Sequence, residues 1–379
     1  MKILIVTEFL PSSERGEITG GVEAYCHYVG HELERDHEVT FIADRTEGER
    51  WDHASLGSIP RRALFLLRAL WQGLRADADV VMGTNYVVHP VAWLIGLLRR
   101  RPVVFWYPDV LIGQWRSGQF GRVTGIIGEV SERVILRLPV ARFIAISKST
   151  ADKLVAHGVD PHRIEVIPCG YDEAVVAAVG PQPAATHPRL VVVGRLVPYK
   201  RVDLVIQALA RLVPHRPDLE LLVIGRGPEH ERLVELAADL GVTDRVRFAG
   251  HLPTHSDVLR EVAASTVFVS ASEIEGFGIA VVEASALGCP IVVSDIPVFD
   301  EVTAGGTGGL LFRTGDAVHL AEQLERLLGD HSLRDASSRA GQAHAARYHW
   351  SEVAERTAAT LRDTIHRPIR SSHVERPVP

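Results

Sequence analysis

Residues 273–283 read EIEGFGIAVVE. Just ahead of them Val267–Ser270 is an apolar run of strand length, and the helical pattern begins near Ile279. A buried strand that feeds a Gly-Phe-Gly turn and then a helix is a joint of parallel α/β architecture. The glycines let backbone approach a ligand closely, and the free N–H groups of a helix start favour an anion. Glu275 precedes the turn and Glu283 lies within the helix; eight residues at 1.5 Å each separate them by about 12 Å. That is wider than the ~5–9.5 Å of a glycoside-hydrolase carboxyl pair. The two acids therefore suit different parts of one long ligand: a sugar hydroxyl near Glu275, a phosphate at the turn, ribose hydroxyls near Glu283. A capped surface helix with solvated acids is the alternative.

Working outward, GRLVPYKR (194–201) directly follows the strand pattern Leu190–Val193. Arg195 offers a planar fork and Lys200 a point charge, a pairing suited to diphosphate; two solvated loop charges are the alternative. Near the start, Thr19-Gly20-Gly21-Val22-Glu23 opens the first helix, and its paired glycines permit close approach of a ligand; an ordinary turn is the alternative. Further strands are expected at Lys2–Val6, Val39–Ala43, Val80–Met82, Val103–Trp106, Phe143–Ile146, Glu220–Ile224, Val246–Phe248 and Ile291–Ser294. Their near-continuous Val/Ile/Leu content means sheets covered on both faces. Helices are expected at Val22–Glu34, Ser149–His157, Val202–Leu212, Glu229–Leu240 and Ala317–Leu328. The Pro/Ala/Gly-rich stretch Val179–Pro188 is the expected linker between two doubly wound α/β domains facing each other across a cleft, and the tail from His366 to Pro379 is expected to be disordered.

Composition sets the bounds. At about 100–200 residues per domain, 379 residues predict two domains. A 46% hydrophobic, 23% charged chain is globular, and a net charge of −6 argues against a nucleic-acid partner. Cys26, Cys169 and Cys289 are scattered, which fits buried thiols in a reducing cytosol better than disulfides or a zinc site. The opening MKILIVTEFL reads as a first strand, not a signal peptide, and the apolar stretch Val80–Leu98 is interrupted by Asn85, His89 and Pro90. A cytoplasmic protein is expected, with the inner face of the membrane as a second option. GxGxxG is absent after the first strand and GxxxxGK[ST] is absent altogether, which removes the main support for a dinucleotide dehydrogenase or a P-loop NTPase.

In combination these segments resemble glycosyltransferase family 4, retaining nucleotide-sugar enzymes of GT-B fold. The matching pieces are GGVEAYCHYVGHELERDHEVTFIA, FIAISKSTADKLVAHGVDPHRIEVIPCGYD, VVVGRLVPYKRVDLVIQALA, LVIGRGPE, VRFAGHL, EGFGIAVVEASALGCPIVVSDI and GGLLF, which run in family order to about Arg347. The resemblance implies an acceptor-binding domain over 1–180, a donor-binding domain over 188–349, and closing helices from about 350 to 366 that cross back to the first domain. It implies that Arg195 and Lys200 bind the donor diphosphate, that Glu275 contacts the transferred sugar, and that backbone at Gly276, Phe277, Gly278 and Ile279 lies near its hydroxyls and phosphate. Glu283 would hold the ribose, His251 and Leu252 would lie near the base, and Gly20 and Gly21 would approach the donor from the first domain. Where family members often carry a histidine, after the fourth strand, this chain has Pro108 within Phe105-Trp106-Tyr107-Pro108-Asp109. Tyr107 and Asp109 are the expected acceptor contacts, with a turn role for Asp109 as the alternative. Arg226 stands where acidic residues are common.

The implied reaction is hexosyl transfer to a hydroxyl. It needs no metal or other cofactor, because Arg195, Lys200 and the helix start meet the leaving-group charge. Asp77-Ala78-Asp79 precedes a strand and reads as a loop signal. A nucleotide-sugar epimerase, a sugar phosphorylase and a non-catalytic sugar-nucleotide-binding protein are the competing classes; a pyridoxal-type phosphorylase would have to draw its Schiff base from Lys2, Lys148, Lys153 or Lys200. The acceptor can be a small molecule, a glycan or a lipid-linked compound. Ser55–Lys148 carries 13 Arg/Lys against 5 Asp/Glu and four of the six tryptophans. Over Arg61–Arg75, Arg61, Arg68 and Arg75 share one helical face at heptad spacing and Leu64, Leu67, Trp71 and Leu74 line another. Such a surface can dock on anionic lipid; a solvated basic face with core tryptophans is the alternative.

Overall fold

The computed structural model describes residues 1–8, 10, 20–44, 58–115 and 122–366; Thr19 and the tail over 367–379 lie outside them. The chain divides into two compact units, Met1–Pro168 with Ser351–Pro379, and Cys169–Trp350.

Unit 1 runs β1 (Lys2–Val6), α1 (Gly21–Glu34), β2 (Glu38–Ile42), α2 (Ser58–Arg75), β3 (Val80–Gly83), α3 (His89–Arg99), β4 (Val103–Tyr107), α4 (Arg122–Ile135), β5 (Arg142–Ala145), α5 (Lys148–Ala156) and β6 (Ile164–Val166). Its strands form one parallel sheet of order β2-β1-β3-β4-β5-β6. Side chains alternate across the sheet. Leu4, Val6, Phe105, Tyr107 and Phe143 face one way and pack beneath Phe65 and Ala69 of α2, Ile95 of α3, Ile135 of α4 and Leu154 of α5. These four helices are therefore one layer. Trp106 points the opposite way and stacks on Tyr25 of α1, ring centroids 4.2 Å apart. The Tyr25 hydroxyl in turn meets Thr357 Oγ1 at 3.2 Å.

Unit 2 runs α6 (Glu173–Val179), β7 (Arg189–Val193), α7 (Val202–Leu212), β8 (Glu220–Ile224), α8 (His230–Asp239), β9 (Val246–Gly250), α9 (His255–Ala263), β10 (Val267–Ser270), α10 (Ile279–Ala286), β11 (Ile291–Ser294), α11 (Pro297–Val302), β12 (Leu310–Phe312), α12 (Ala317–Gly329) and α13 (His331–Ala345). Its parallel sheet has the order β12-β11-β10-β7-β8-β9. From β7 the chain winds outward through β8 and β9, then returns to β10 on the other side of β7. The strand order thus reverses between β7 and β10, the place where open α/β sheets bind ligands at their carboxyl ends. The chain then enters α14 (Trp350–His366), whose residues from Ser351 belong to unit 1.

The division at Pro168/Cys169 lies ahead of the composition-based linker Val179–Pro188. Tyr171 N–H donates to Tyr348 O at 2.9 Å and α6 packs on α9, so these residues are held within unit 2. The edge strands β6 and β12 were not among the expected strands; three residues each are too few to show a period. No described helix is long and apolar enough to cross a membrane. The three cysteines are free and buried.

Candidate active site

At the β7/β10 reversal the two loops singled out from sequence lie side by side. Glu273 N–H donates to Tyr199 O at 2.8 Å, which ties the loop after β10 to the loop after β7. Two ion pairs cross the same seam, Arg201 with Glu273 and Lys200 with Glu275. Lys200 and Glu275 are both largely buried, with 21% and 16% of their side chains exposed. Ser272 Oγ also donates to Glu275 Oε1, at 3.1 Å. The carboxylate is thus fixed by a cation and a hydroxyl, while an ammonium has three donors and keeps the capacity to meet an anion. Arg195 is exposed, with Nη2 donating to Tyr199 Oη at 2.8 Å within the same loop.

The turn is built by backbone. Gly278, at φ +90, caps α10, and a Cβ there would stand 2.8 Å from the Phe299 ring. Phe277 is buried, its ring edge-on to Tyr348 at 5.3 Å, so residues 276–279 offer main chain to a ligand while the phenyl group anchors the turn. Leu196 N–H donates to Arg226 O at 2.9 Å, Gly194 N–H to Ile224 O at 3.0 Å and Gly225 N–H to Gly250 O at 2.7 Å, which stitches together the loops after β7, β8 and β9. Arg226 lies over Gly250, its Nε 3.6 Å from where a Cβ would stand. His251 is exposed and Leu252 half-buried, just beyond β9.

Glu283 lies on α10, 12% exposed, and meets His255 Nε2 at 2.8 Å. Sequence reasoning missed this histidine. The capping box of Thr254 and Asp257 starts α9 and sets His255 at its first position. Burial lowers the imidazole's hold on a proton, but the hydrogen bond and charge of Glu283, with Asp172 adding, outweigh it, and His255 titrates above its ordinary 6.5. The charged pair therefore stabilises the fold in full below the unfolded value and stops doing so as pH rises through the higher folded value. His255→Gln is expected to lower the thermal midpoint near pH 5.5 by the worth of a half-exposed pair, about 0.2–1 kcal/mol, and to change little near pH 9. Equal losses at both pH values in thermal melts would discard the charged pair.

Unit 1 carries the remaining expected residues. Gly20 is the extended N-cap of α1, with nothing among the described residues within 4 Å of where a Cβ would stand, and Gly21 is the first helical residue. Asp109 follows β4; Lys153 Nζ donates to its Oδ1 at 2.7 Å, and Val110 N–H donates to the same oxygen at 2.8 Å. Tyr107 corrects the expectation of an acceptor contact. It is 1% exposed, and its hydroxyl donates to Glu132 Oε1 at 3.1 Å. Glu132 is buried too, and also accepts from Trp115 Nε1 at 2.6 Å and Leu111 N–H at 3.1 Å. Tyr107 thus anchors the loop after β4 from within the core. Asp77 and Asp79 both bind Lys2, Asp77 through its Nζ and Asp79 through its backbone N–H, at the amino end of the sheet.

Two family models match stretches of this chain. The model described as "Glycosyl transferases group 1" matches residues 181–344, and "Glycosyltransferase Family 4" matches residues 19–175. The D-inositol 3-phosphate glycosyltransferase of Acidothermus cellulolyticus is 30% identical over 77% of this chain and 70% of its own length. Among solved structures, sucrose-phosphate synthase from Thermosynechococcus elongatus superposes with a TM-score of 0.79 at 18% identity, covering 97% of this chain and all of that one. Anabaena HepE, in complex with UDP and glucose, superposes at 0.72 with 20% identity, over 96% of this chain and all of its own.

Proposed function

Because the chain belongs to glycosyltransferase family 4 and has a GT-B fold, we propose that it moves a hexosyl group from a nucleoside diphosphate sugar to an acceptor hydroxyl with retention at the anomeric carbon. The observation that carries this is the Lys200–Glu275 pair across the β7/β10 reversal. It sets a phosphate-seeking cation against a hydroxyl-seeking carboxylate at the point where such sheets hold nucleotides. In this reading Arg195, Lys200 and the start of α10 meet the charge that grows on the diphosphate as the anomeric C–O bond breaks. No metal or other cofactor has a part in it. Glu275 holds a sugar hydroxyl, Glu283 the ribose, and the backbone near His251 and Leu252 the base. The acceptor oxygen forms its bond to the anomeric carbon on the face the diphosphate leaves, and its proton passes to the departing phosphate. That route suits a chain with Pro108 where members of the family often carry histidine. The acceptor is assigned to unit 1 near Asp109, and the reaction to the cytosol, in keeping with three free buried thiols.

The test is a thermal-shift panel of nucleoside diphosphates, UDP first because HepE was solved with it. The matching nucleotide at ten times its Kd is expected to add about 1.4 kcal/mol. Turnover with the corresponding sugar nucleotide follows, starting from D-inositol 3-phosphate, the compound in the relative's name, with the product's anomeric configuration read by NMR. No stabilisation by any member of the panel would end the proposal.

A further inference from the structure

The α2–α4 layer of unit 1 has an outer face that the donor chemistry does not use. Among the described residues, ten of the fourteen exposed large hydrophobics lie on these three helices. On α2 they are Leu64, Leu67 and Trp71, spaced along one helical face, with Leu64 and Leu67 each 67% exposed and Trp71 57%. On α4 they include Ile126, Ile127 and Val130, again one stripe. Trp71 departs from the core-tryptophan alternative, whereas Trp106 and Trp115 are buried.

Charge on this face is one-sided. Helices α2 and α3 contain no acid, and the two acids of α4, Glu129 and Glu132, are buried. Arg75, Arg100 and Arg101 are exposed at the C-terminal ends of α2 and α3, where Asp77, outside these helices, is the neighbouring acid, and the Arg75 guanidinium sits 3.8 Å over the Trp71 ring. This lies within a chain of net charge −6. A second copy docking through the same patch about a two-fold axis would set arginine against arginine, with no exposed carboxylate on these helices to answer. A bilayer with anionic headgroups answers both features: acyl chains take Leu and Ile, the interface takes Trp, and the headgroups take Arg.

We propose that the outer face of α2–α4 docks on an anionic lipid bilayer. This goes beyond the sugar-nucleotide reading and does not rest on it. The test is sedimentation of the full chain with phosphatidylcholine vesicles, with and without about 30% phosphatidylglycerol. Binding is expected to the phosphatidylglycerol vesicles, little to phosphatidylcholine alone, and less at ~0.5 M salt than at ~0.05 M. Leu67→Gln/Trp71→Gln and Ile127→Gln/Val130→Gln are each expected to lower partitioning about tenfold or more, with unchanged melting and an unchanged nucleotide thermal shift. Three results would overturn the proposal: no sedimentation with anionic vesicles at low salt; well-folded variants that bind as wild type does; or a concentration-dependent dimer, broken by the same variants, that ignores lipid. Loss of the nucleotide shift alone would strike the donor assignment and leave this surface standing.

Discussion

Lys200→Ala is expected to cut kcat/KM by about 10²–10³-fold, the usual cost of removing one donor from a developing negative charge. The side chain is largely buried against Glu275, so its loss leaves that carboxylate without its cation and should lower the thermal midpoint as well. Lys200→Arg keeps the charge but replaces a point donor with a planar fork, and should recover only part of the loss. Steady-state kinetics with the donor identified by the nucleotide panel give the measurement. Turnover within twofold of wild type for Lys200→Ala would remove the diphosphate role. Arg195 is more exposed and its guanidinium donates to Tyr199 of its own loop, so Arg195→Ala should cost less than Lys200→Ala.

The second large effect concerns backbone. Gly225 has φ +144, and a Cβ there would fall 1.8 Å from Gly194 O. Gly225→Ala must both strain its own backbone and push the β7 loop away. Each costs about 1–3 kcal/mol, or roughly 2–6 kcal/mol together. For a unit of this size that is a fall of about 5–20 °C in midpoint. Nucleotide binding should fail with it, because the displaced loop carries Arg195 and Lys200. A normal melt with normal nucleotide binding would show that the loops after β7 and β8 do not meet this closely.

The parts legible in the sequence were those with local signals. Continuous apolar runs located most strands to within a residue, and the glycine turn fixed the start of α10 at Ile279. The Lys200–Glu275 and His255–Glu283 contacts span 75 and 28 residues. No spacing rule links such positions; only the strand order brings them together. His255 was one of 18 histidines with no mark of its own, although Thr254 and Asp257 announced the helix it begins. Tyr107 was misjudged from its place at a strand end. Its two-residue spacing from Phe105 already put it on the same face as that core residue. Glu132 resembled an ordinary helical surface acid, because its three donors come from elements 17–25 residues earlier.

The return of α14 to unit 1 has a consequence for the order of synthesis. Domains usually complete themselves in the order the ribosome makes them. Here the aromatic stack of Tyr25 on Trp106 receives its last partner, Thr357, only after the whole of unit 2 has been translated. The first unit begun is therefore the last one finished, and a nascent chain halted anywhere within unit 2 leaves it without that helix.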